Sequence, residues 1–277
     1  MKALDVWPSN SMVALGGPGG DEPVAVMIGT KREREVLVHR LGVRPGHERR
    51  GHGSHLVTSL SQKLAVLGPG RLVAEVPEAL PAARALLESL RWTAEDELVD
   101  RRRPAPSPDE APLPPELAIP VTVADLEADG ALDVHPRAPW ARSRQTLRQA
   151  AERLRGAAIA TPERIEAWVL WWDADDGPNG STKGGDHGLV PGEDGAAGVA
   201  EAARCDRPIE VAGAGCRDAD RAELLLGVLF RSVGQAAGRS LLLPRLADGE
   251  LDEGALRGAG FEPAARTRRY AATARPL

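Results

Sequence analysis

The stretch GVRPGHERRGHGSHL, residues 42–56, decides how this chain is interpreted. Its first residues close the second of two strand-like runs (24–30 and 35–43), and leucines at helical spacing follow it. A strand-to-helix connection that carries several glycines and charges is either a ligand-binding loop or an ordinary solvated turn. The helix is expected to begin at Gly51 or just after, and to end before the glycines and proline at 68–70.

The composition limits the class of protein. With 277 residues, of which 42% are hydrophobic, the chain is long enough for two domains with their own cores. A formal net charge of −5 disfavours a general nucleic-acid binder. Two cysteines, Cys205 and Cys216, do not make a disulfide framework, and we expect buried thiols. Because no run of 18 apolar residues occurs, a soluble cytoplasmic protein without a membrane partner is expected.

Two regions show the same order of predicted elements on either side of a proline-rich linker at 104–118. The first region is predicted as strands at 24–30, 35–43, 71–76 and 97–102, with helices after Gly53 and at 81–90. The second is predicted as strands at 119–123, 166–172, 209–216, 240–244 and 261–273, with helices at 139–155, 222–238 and 252–260 and a mobile loop at 173–198. The repeated order predicts an α/β fold (an α+β mixed sheet) that arose by tandem duplication.

Several familiar motifs fail on spacing. A dinucleotide-binding fingerprint needs a glycine where Leu56 stands. The zinc motif HExxH fails because His52 follows His47 by five residues, so the rings do not share a helix face. A site of three histidines that includes His55 would need a folded loop, and no metal is expected. The acidic loop at 173–198 lacks the ligand spacing of a calcium loop.

The remaining interpretation of residues 42–56 is an anion-binding turn. The first N–H groups of a helix have no intrahelical partner and carry the positive end of its dipole. Glycines such as Gly51 and Gly53 remove the Cβ atoms that would keep a bulky anion from the backbone, and Arg49 and Arg50 add positive charge. A diphosphate would fit. The alternative is an ordinary solvated turn with glycines for tightness.

The wider pattern V-x-P-x-x-x-R-R-G-x-G-x-x-L resembles the GNAT N-acetyltransferase superfamily, and here it comprises Val43, Pro45, Arg49, Arg50, Gly51, Gly53 and Leu56. The resemblance implies two tandem GNAT-like units, each a mixed, mostly antiparallel sheet flanked by helices. Residues 1–103 would hold the acetyl-CoA loop, and residues 119–277 would be a degenerate repeat.

The resemblance also implies an activity and a site. The activity is direct transfer of an acetyl group from acetyl-CoA to a primary amine of a small molecule or a protein. The coenzyme would be bound by Leu41, Gly42, Val43, Arg49, Arg50, Gly51, His52, Gly53 and Ser54, with a backbone N–H near Leu41–Val43 on the thioester oxygen. Glu35 stands where related enzymes often place an acidic base. His39, four residues on, is expected to face the same side and is a second candidate base.

Some positions depart from the family pattern. Glu48 occupies the usual Gln/Arg position, so we expect its carboxylate to point to solvent. Leu87 stands where the family often has the Tyr that protonates the leaving thiolate. In the second half, Asp218 and Asp220 are expected to cap the helix and to repel a phosphate, which leaves one acyl-CoA site. A catalytically silent acyl-CoA-binding module and a scaffold therefore stay open as alternatives, and exposed sheet edges favour a homodimer.

Overall fold

The computed structural model describes residues 8–274 apart from residues 18, 69, 108, 112, 115–116 and 173–206. The predicted mobile loop at 173–198 and Cys205 lie outside the described residues. By packing, the chain divides into a first unit, residues 1–98 with 265–277, and a second unit, residues 99–264. The domain boundaries predicted from the sequence stay a prediction.

The strands and longer helices follow one another as β1 (Met12–Gly16), β2 (Glu22–Lys31), β3 (Glu35–Val43), α1 (His52–Leu67), β4 (Arg71–Pro77), α2 (Pro81–Ser89), β5 (Thr93–Arg103), β6 (Ile119–Pro120), α3 (Val123–Ala128), α4 (Arg144–Gln149), β7 (Leu154–Ala160), β8 (Ile165–Trp172), β9 (Ile209–Cys216), α5 (Ala222–Ala237), β10 (Leu241–Ala247), α6 (Glu253–Gly258) and β11 (Glu262–Thr273). The mixed α/β class predicted from the sequence is confirmed. No helix among the described residues is long and apolar enough to cross a membrane.

The first unit is a mixed sheet with the strand order β1-β2-β3-β4-β11-β5. Strand β2 pairs antiparallel with β1 and β3, and β11 pairs antiparallel with β4. Only the β3–β4 pairing is parallel among the pairings described for this unit. Helix α1 covers one face, because Leu56, Leu60 and Leu64 recur at helical spacing and are all buried. Burial of each such leucine contributes roughly 1.5–3 kcal/mol to stability.

The second unit repeats this arrangement with the order β10-β9-β8-β7-β6. The pairings of β6 through β9 are antiparallel, and β9 pairs parallel with β10. Helix α5 packs on one face, with Leu226, Leu229 and Phe230 almost fully buried. Helices α3 and α4 bury Leu126 and Leu147 completely.

The predicted long helix at 139–155 is wrong. Only α4 is α-helical there, between short 3-10 turns at Trp140–Arg142 and Ala151–Arg153, and the chain then enters β7. Ser143 begins the helix by accepting a hydrogen bond from the Thr146 N–H. Gly156 allows the close approach of strands in β7, since a Cβ there would lie 2.4 Å from the carbonyl oxygen of Val121. Strand β1 was also not predicted.

Candidate functional site

Strand β3 contains a bulge at His39. Ile28 of β2 pairs with Arg40 and the next residue, Gly29, pairs with Val38, so His39 is the extra residue. A bulge interrupts the alternation of side chains along a strand. The expectation that His39 faces the same side as Glu35 assumed unbroken alternation, and this assumption does not hold.

Strands β3 and β4 diverge towards their C-terminal ends. The parallel pairing joins Glu35–Leu37 to Arg71–Val73 and ends there, although β3 continues to Val43 and β4 to Pro77. Beyond Leu37, the backbone N–H and C=O groups on the β4 side of β3 are therefore not paired with β4. The predicted backbone-binding residues Leu41, Gly42 and Val43 all lie in this diverging part.

The loop between β3 and α1 contains three residues with a left-handed backbone, Gly46, Arg49 and Gly51. Arg49 has φ 60° and Gly51, immediately before the helix, has φ 85°. Glycine adopts this conformation without the steric cost that a Cβ atom brings. The Gly51 carbonyl accepts the His55 N–H at 2.9 Å, and no side chain caps the helix.

The first N–H groups of α1 are available for a ligand. Within the described part of the chain, the backbone N–H groups of His52, Gly53 and Ser54 have no hydrogen-bond acceptor. A Cβ on Gly53 would lie 3.3 Å from Leu86 of α2 and 3.7 Å from Leu41 of β3. The absence of a Cβ at Gly53 therefore lets the start of α1 pack closely against Leu86 of α2 and Leu41 at the end of β3. The structure brings the predicted coenzyme-binding residues of β3 and α1 to this one corner.

The charges around the turn suit an anion. Arg49 and Arg50 are exposed beside the start of α1. Glu48 is exposed, as predicted, and its carboxylate accepts the Gly46 N–H at 2.6 Å within the same turn. Arg44 is already paired with Glu22 at 2.9 Å. No cluster of His, Cys, Asp or Glu among the described residues could hold a metal ion.

Glu35 lies at the closed end of the β3–β4 pairing. Its carboxylate is 3.4 Å from Nε of Arg71, and the same guanidinium donates two hydrogen bonds to Glu95 at 2.9 and 2.6 Å. These carboxylates raise the pKa of the Arg71 guanidinium, Glu95 more than Glu35. The structure therefore places Glu35 in a network of charges two residues before the strands diverge, and its role as a base stays a prediction.

Leu87 and Tyr270 both lie in the core of the first unit. Leu87, at the position where the resemblance expects Tyr, is buried in the core of the first unit. Tyr270 of β11 pairs with Ala74 of β4, and its hydroxyl donates to the Glu88 carboxylate at 2.7 Å. Burial, followed by Glu88, raises the pKa of Tyr270. The sequence does not indicate that this tyrosine from the far end of the chain belongs to the first unit.

The second unit has the same backbone features at β9. Leu170 pairs with Gly213 and Trp171 with Val211, which makes Ala212 a bulged residue. The parallel pairing with β10 ends at Glu210. Before the helix that follows, the Asp218 carboxylate accepts the Asp220 N–H at 3.0 Å and caps the 3-10 turn at Ala219–Arg221. The predicted aspartate cap therefore belongs to this turn, and α5 itself begins after Arg221 without a side-chain cap.

Glu210 was not identified from the sequence. Burial raises its pKa to about 7, opposed by the positive charges of Arg245 and Arg142 and assisted by Asp100. A single Glu in the run IEVAGAGC gives no signal of burial, because its neighbours in the fold come from distant segments.

Comparison with known proteins agrees with this geometry. Residues 4–91 match the model of the acetyltransferase (GNAT) family. The search of curated proteins found no match. A solved tandem GNAT protein from the clavulanic acid biosynthesis pathway is 17% identical with a TM-score of 0.59, covering 100% of this chain and 87% of that one. A GCN5-related N-acetyltransferase from Sphaerobacter thermophilus is 17% identical with a TM-score of 0.57, covering 96% and 81%. Residues 4–91 are therefore similar to the acetyltransferase (GNAT) family, and the fold of the chain is similar to that of a solved tandem GNAT protein.

Proposed function

We propose that the chain is an acetyl-CoA-dependent N-acetyltransferase that moves an acetyl group directly to a primary amine of a small molecule or a protein. The observation that carries this proposal is the uncapped start of α1, where three N–H groups have no described acceptor and the adjacent strand diverges from its neighbour. Backbone N–H groups at a helix N-terminus bind phosphates well because the helix dipole adds to their hydrogen bonds.

The residues present fit a coenzyme with a diphosphate. His52, Gly53 and Ser54 would donate backbone N–H groups to the diphosphate, with Arg49 and Arg50 beside it. The diverging end of β3 would hydrogen-bond the extended arm of the coenzyme through its backbone. A backbone N–H in this segment would also stabilise the negative charge that forms on the thioester oxygen.

Transfer requires a neutral amine. A base removes a proton from the ammonium group, the amine nitrogen forms a bond to the carbonyl carbon, and the carbon–sulfur bond breaks. Glu35 and His39 are the proposed bases, and His39 lies at the bulge, closer to the diverging part of β3. The nitrogen that has attacked releases its surplus proton to water, and the departing thiolate takes a proton from water, because Leu87 cannot donate one.

A second candidate function rests on that same leucine. Leu87 is packed in the core, so α2 does not offer an acid at this position. A module that binds acyl-CoA without transferring the acetyl group would keep the helix N-terminus and lose the chemistry. Release of free thiol over a panel of primary amines separates the two functions: accumulation of thiol supports the transferase, and binding without thiol release supports the silent module.

Calorimetric titration with acetyl-CoA tests the site. The native chain should bind with a dissociation constant on the order of micromolar. Gly53→Glu should weaken binding about 100-fold or more, because its side chain enters the space near Leu86 and its charge repels the diphosphate. Gly70→Glu is the matched control, since a Cβ there meets no atom within 4 Å. Unchanged binding by Gly53→Glu would contradict the placement, and no binding by the native chain would contradict both candidate functions.

A further inference from the structure

The first unit contains a groove at the start of β4, with a volume of about 840 Å³, which is within the range of small-molecule sites. Its walls are the later turns of α1, the end of α2, the turn between β2 and β3, the first residues of β4 and β5, and the last residues of β11. Because β3 and β4 are parallel, the start of β4 and the end of β3 lie at opposite ends of the sheet. We call this space the β4 groove, and it is separate from the proposed coenzyme site.

The lining of the β4 groove carries more positive than negative charge. It contains three arginines, Arg34, Arg71 and Arg91, and one carboxylate, Glu95, which is 2.6 Å from Arg71. The excess persists when the whole turn between β2 and β3, KRERE at 31–35, is included, because its other four residues are two cations and two carboxylates. An anion is therefore attracted to this groove, and a cation is repelled.

Two arginines of the lining have no carboxylate to balance them. Among the described residues, the guanidinium groups of Arg34 and Arg91 are in no ion pair and donate no hydrogen bond. Both residues are exposed, so a ligand reaches them without opening the core of the unit. A guanidinium group presents a planar set of donors that matches the oxygens of a carboxylate or a phosphate.

The backbone holds both of these arginines at fixed turns. Arg91 ends α2 in a left-handed conformation with φ 62°, and its N–H donates to the Glu88 carbonyl at 2.9 Å. Glycine would adopt this conformation at a lower steric cost, so the turn itself does not require an arginine. Arg34 lies in a turn that is closed by the hydrogen bond from the Arg32 N–H to the Glu35 carbonyl at 2.9 Å. Fixed attachment points reduce the conformational freedom that is lost when a ligand binds.

Neutral hydrogen-bond donors line the rest of the β4 groove. Thr58 and Gln62 are four residues apart in α1 and therefore lie on the same face of the helix. Thr93 and Thr273 add hydroxyl groups from β5 and β11. Hydroxyl and amide groups beyond the two free arginines suit the polar body of an organic molecule, and the volume of the groove exceeds what a single inorganic ion fills.

We propose that the β4 groove binds a small organic anion that carries carboxylate or phosphate groups, independently of coenzyme A. This site is at the opposite end of the sheet from the proposed coenzyme site, and its occupancy does not require acetyl transfer. The failure of this proposal and the failure of the proposed function are therefore separable by titrating each ligand alone.

Calorimetric titration of the full chain with citrate and with glucose 6-phosphate, each without acetyl-CoA, tests this proposal. At least one of these anions should bind, the cation putrescine should not, and the affinity should fall as salt is raised. Arg34→Gln combined with Arg91→Asn should weaken binding about 10-fold or more, because the charge-assisted hydrogen bonds are lost. Asparagine is chosen at residue 91 because it tolerates the left-handed conformation.

Gly70 allows the two sites of the first unit to be blocked one at a time. It lines the β4 groove, and a Cβ there meets no atom within 4 Å, so Gly70→Glu adds a carboxylate to the groove without a clash. This variant should lose the anion and keep acetyl-CoA binding. Gly53→Glu should keep the anion and lose acetyl-CoA binding.

Controls and contrary outcomes complete the experiment. Arg40→Gln removes an exposed arginine of the same unit outside the lining and should leave the affinity for the anion unchanged. A native urea unfolding transition shows that the double variant is folded. The proposal is overturned if neither anion binds or if the double variant binds as the native chain does. It is also overturned if Gly53→Glu loses the anion while Gly70→Glu keeps it, because the anion would then lie at the start of α1.

Discussion

The two strand-to-helix corners, β3–α1 and β9–α5, share their backbone design and differ in their chemistry. In each corner a bulge interrupts the strand, at His39 in β3 and at Ala212 in β9. The parallel pairing of each strand with its neighbour ends two residues before the bulge. The first corner then enters its helix through Gly51 with no side-chain cap, whereas at the second Asp218 caps the turn that leads into α5. The two corners thus share the divergence of the strands, and a few loop residues decide whether a carboxylate accepts an N–H before the helix begins.

The sheet faces opposite α1 and α5 differ as well. In the first unit Val13 and Leu15 of β1 are 55% and 57% exposed. In the second unit the helices α3 and α4 are present, and Leu126 and Leu147 are fully buried. The comparison shows that α3 and α4 cover a sheet face of the second unit and have no counterpart among the described residues of the first.

The largest expected effect tests this difference in burial. Leu147→Ala should lower the free energy of unfolding by about 2–5 kcal/mol, because it leaves a cavity beside Gly213. Val13→Thr, which keeps the β-branched shape on an exposed strand, should change it by less than about 0.5 kcal/mol. Urea unfolding of the full chain measures both. A cost for Val13→Thr as large as that for Leu147→Ala would mean that the two faces are equally covered.

The second prediction concerns the last residue paired before each divergence, Leu37 in β3 and Glu210 in β9. The pKa of Glu210 is raised to about 7 from an ordinary value of 4.5. The folded state therefore binds a proton that the unfolded state releases, and stability is lost as pH rises from about 4.5 through 7. Glu210→Gln removes this loss.

The gain from Glu210→Gln should be largest above pH 7, up to roughly 3 kcal/mol, and should disappear near pH 4.5. Urea unfolding of both proteins from pH 4.5 to 8 measures it. Glu75→Gln is a poor control because Glu75 is held by Arg269, so Asp109→Asn, which changes an exposed carboxylate, is preferred. A difference between Glu210→Gln and the native chain that does not vary with pH would contradict the burial of an ionisable group.

Much of the fold could be predicted from local pattern. The bounds of β3 and β9 match the apolar runs at 35–43 and 209–216, and α1 follows the leucine spacing up to Gly68. Elements are predicted wrongly where the hydrophobic pattern of the sequence is weak. The strand β7, LRGAAIA, has a glycine and alanines in place of a clear alternation, and the arginines before it suggested a continuous amphipathic helix.

The site was predictable only in part for a related reason. The free N–H groups of α1 follow from Gly51, Gly53 and the position of the helix, all visible in the sequence. The bulge at His39 does not, because it depends on the register with β2. Likewise, neither the hydrogen bond from Tyr270 to Glu88 nor the burial of Glu210 could be inferred, since both depend on segments far apart in the chain.

The smallest expected effect compares the two corners themselves. Gly51→Ala forces a Cβ into a left-handed conformation, and Asp218→Ala removes a cap, so each should cost about 1 kcal/mol of stability. Their effects on acetyl-CoA affinity should differ, because only Gly51 adjoins the free N–H groups of α1. Calorimetry should show weaker binding for Gly51→Ala and native affinity for Asp218→Ala, with Asp218→Asn as the variant that keeps a cap. Equal losses of affinity in the two alanine variants would show that the second corner also contacts the coenzyme, and the distinction between an open and a capped helix start would no longer explain where the donor binds.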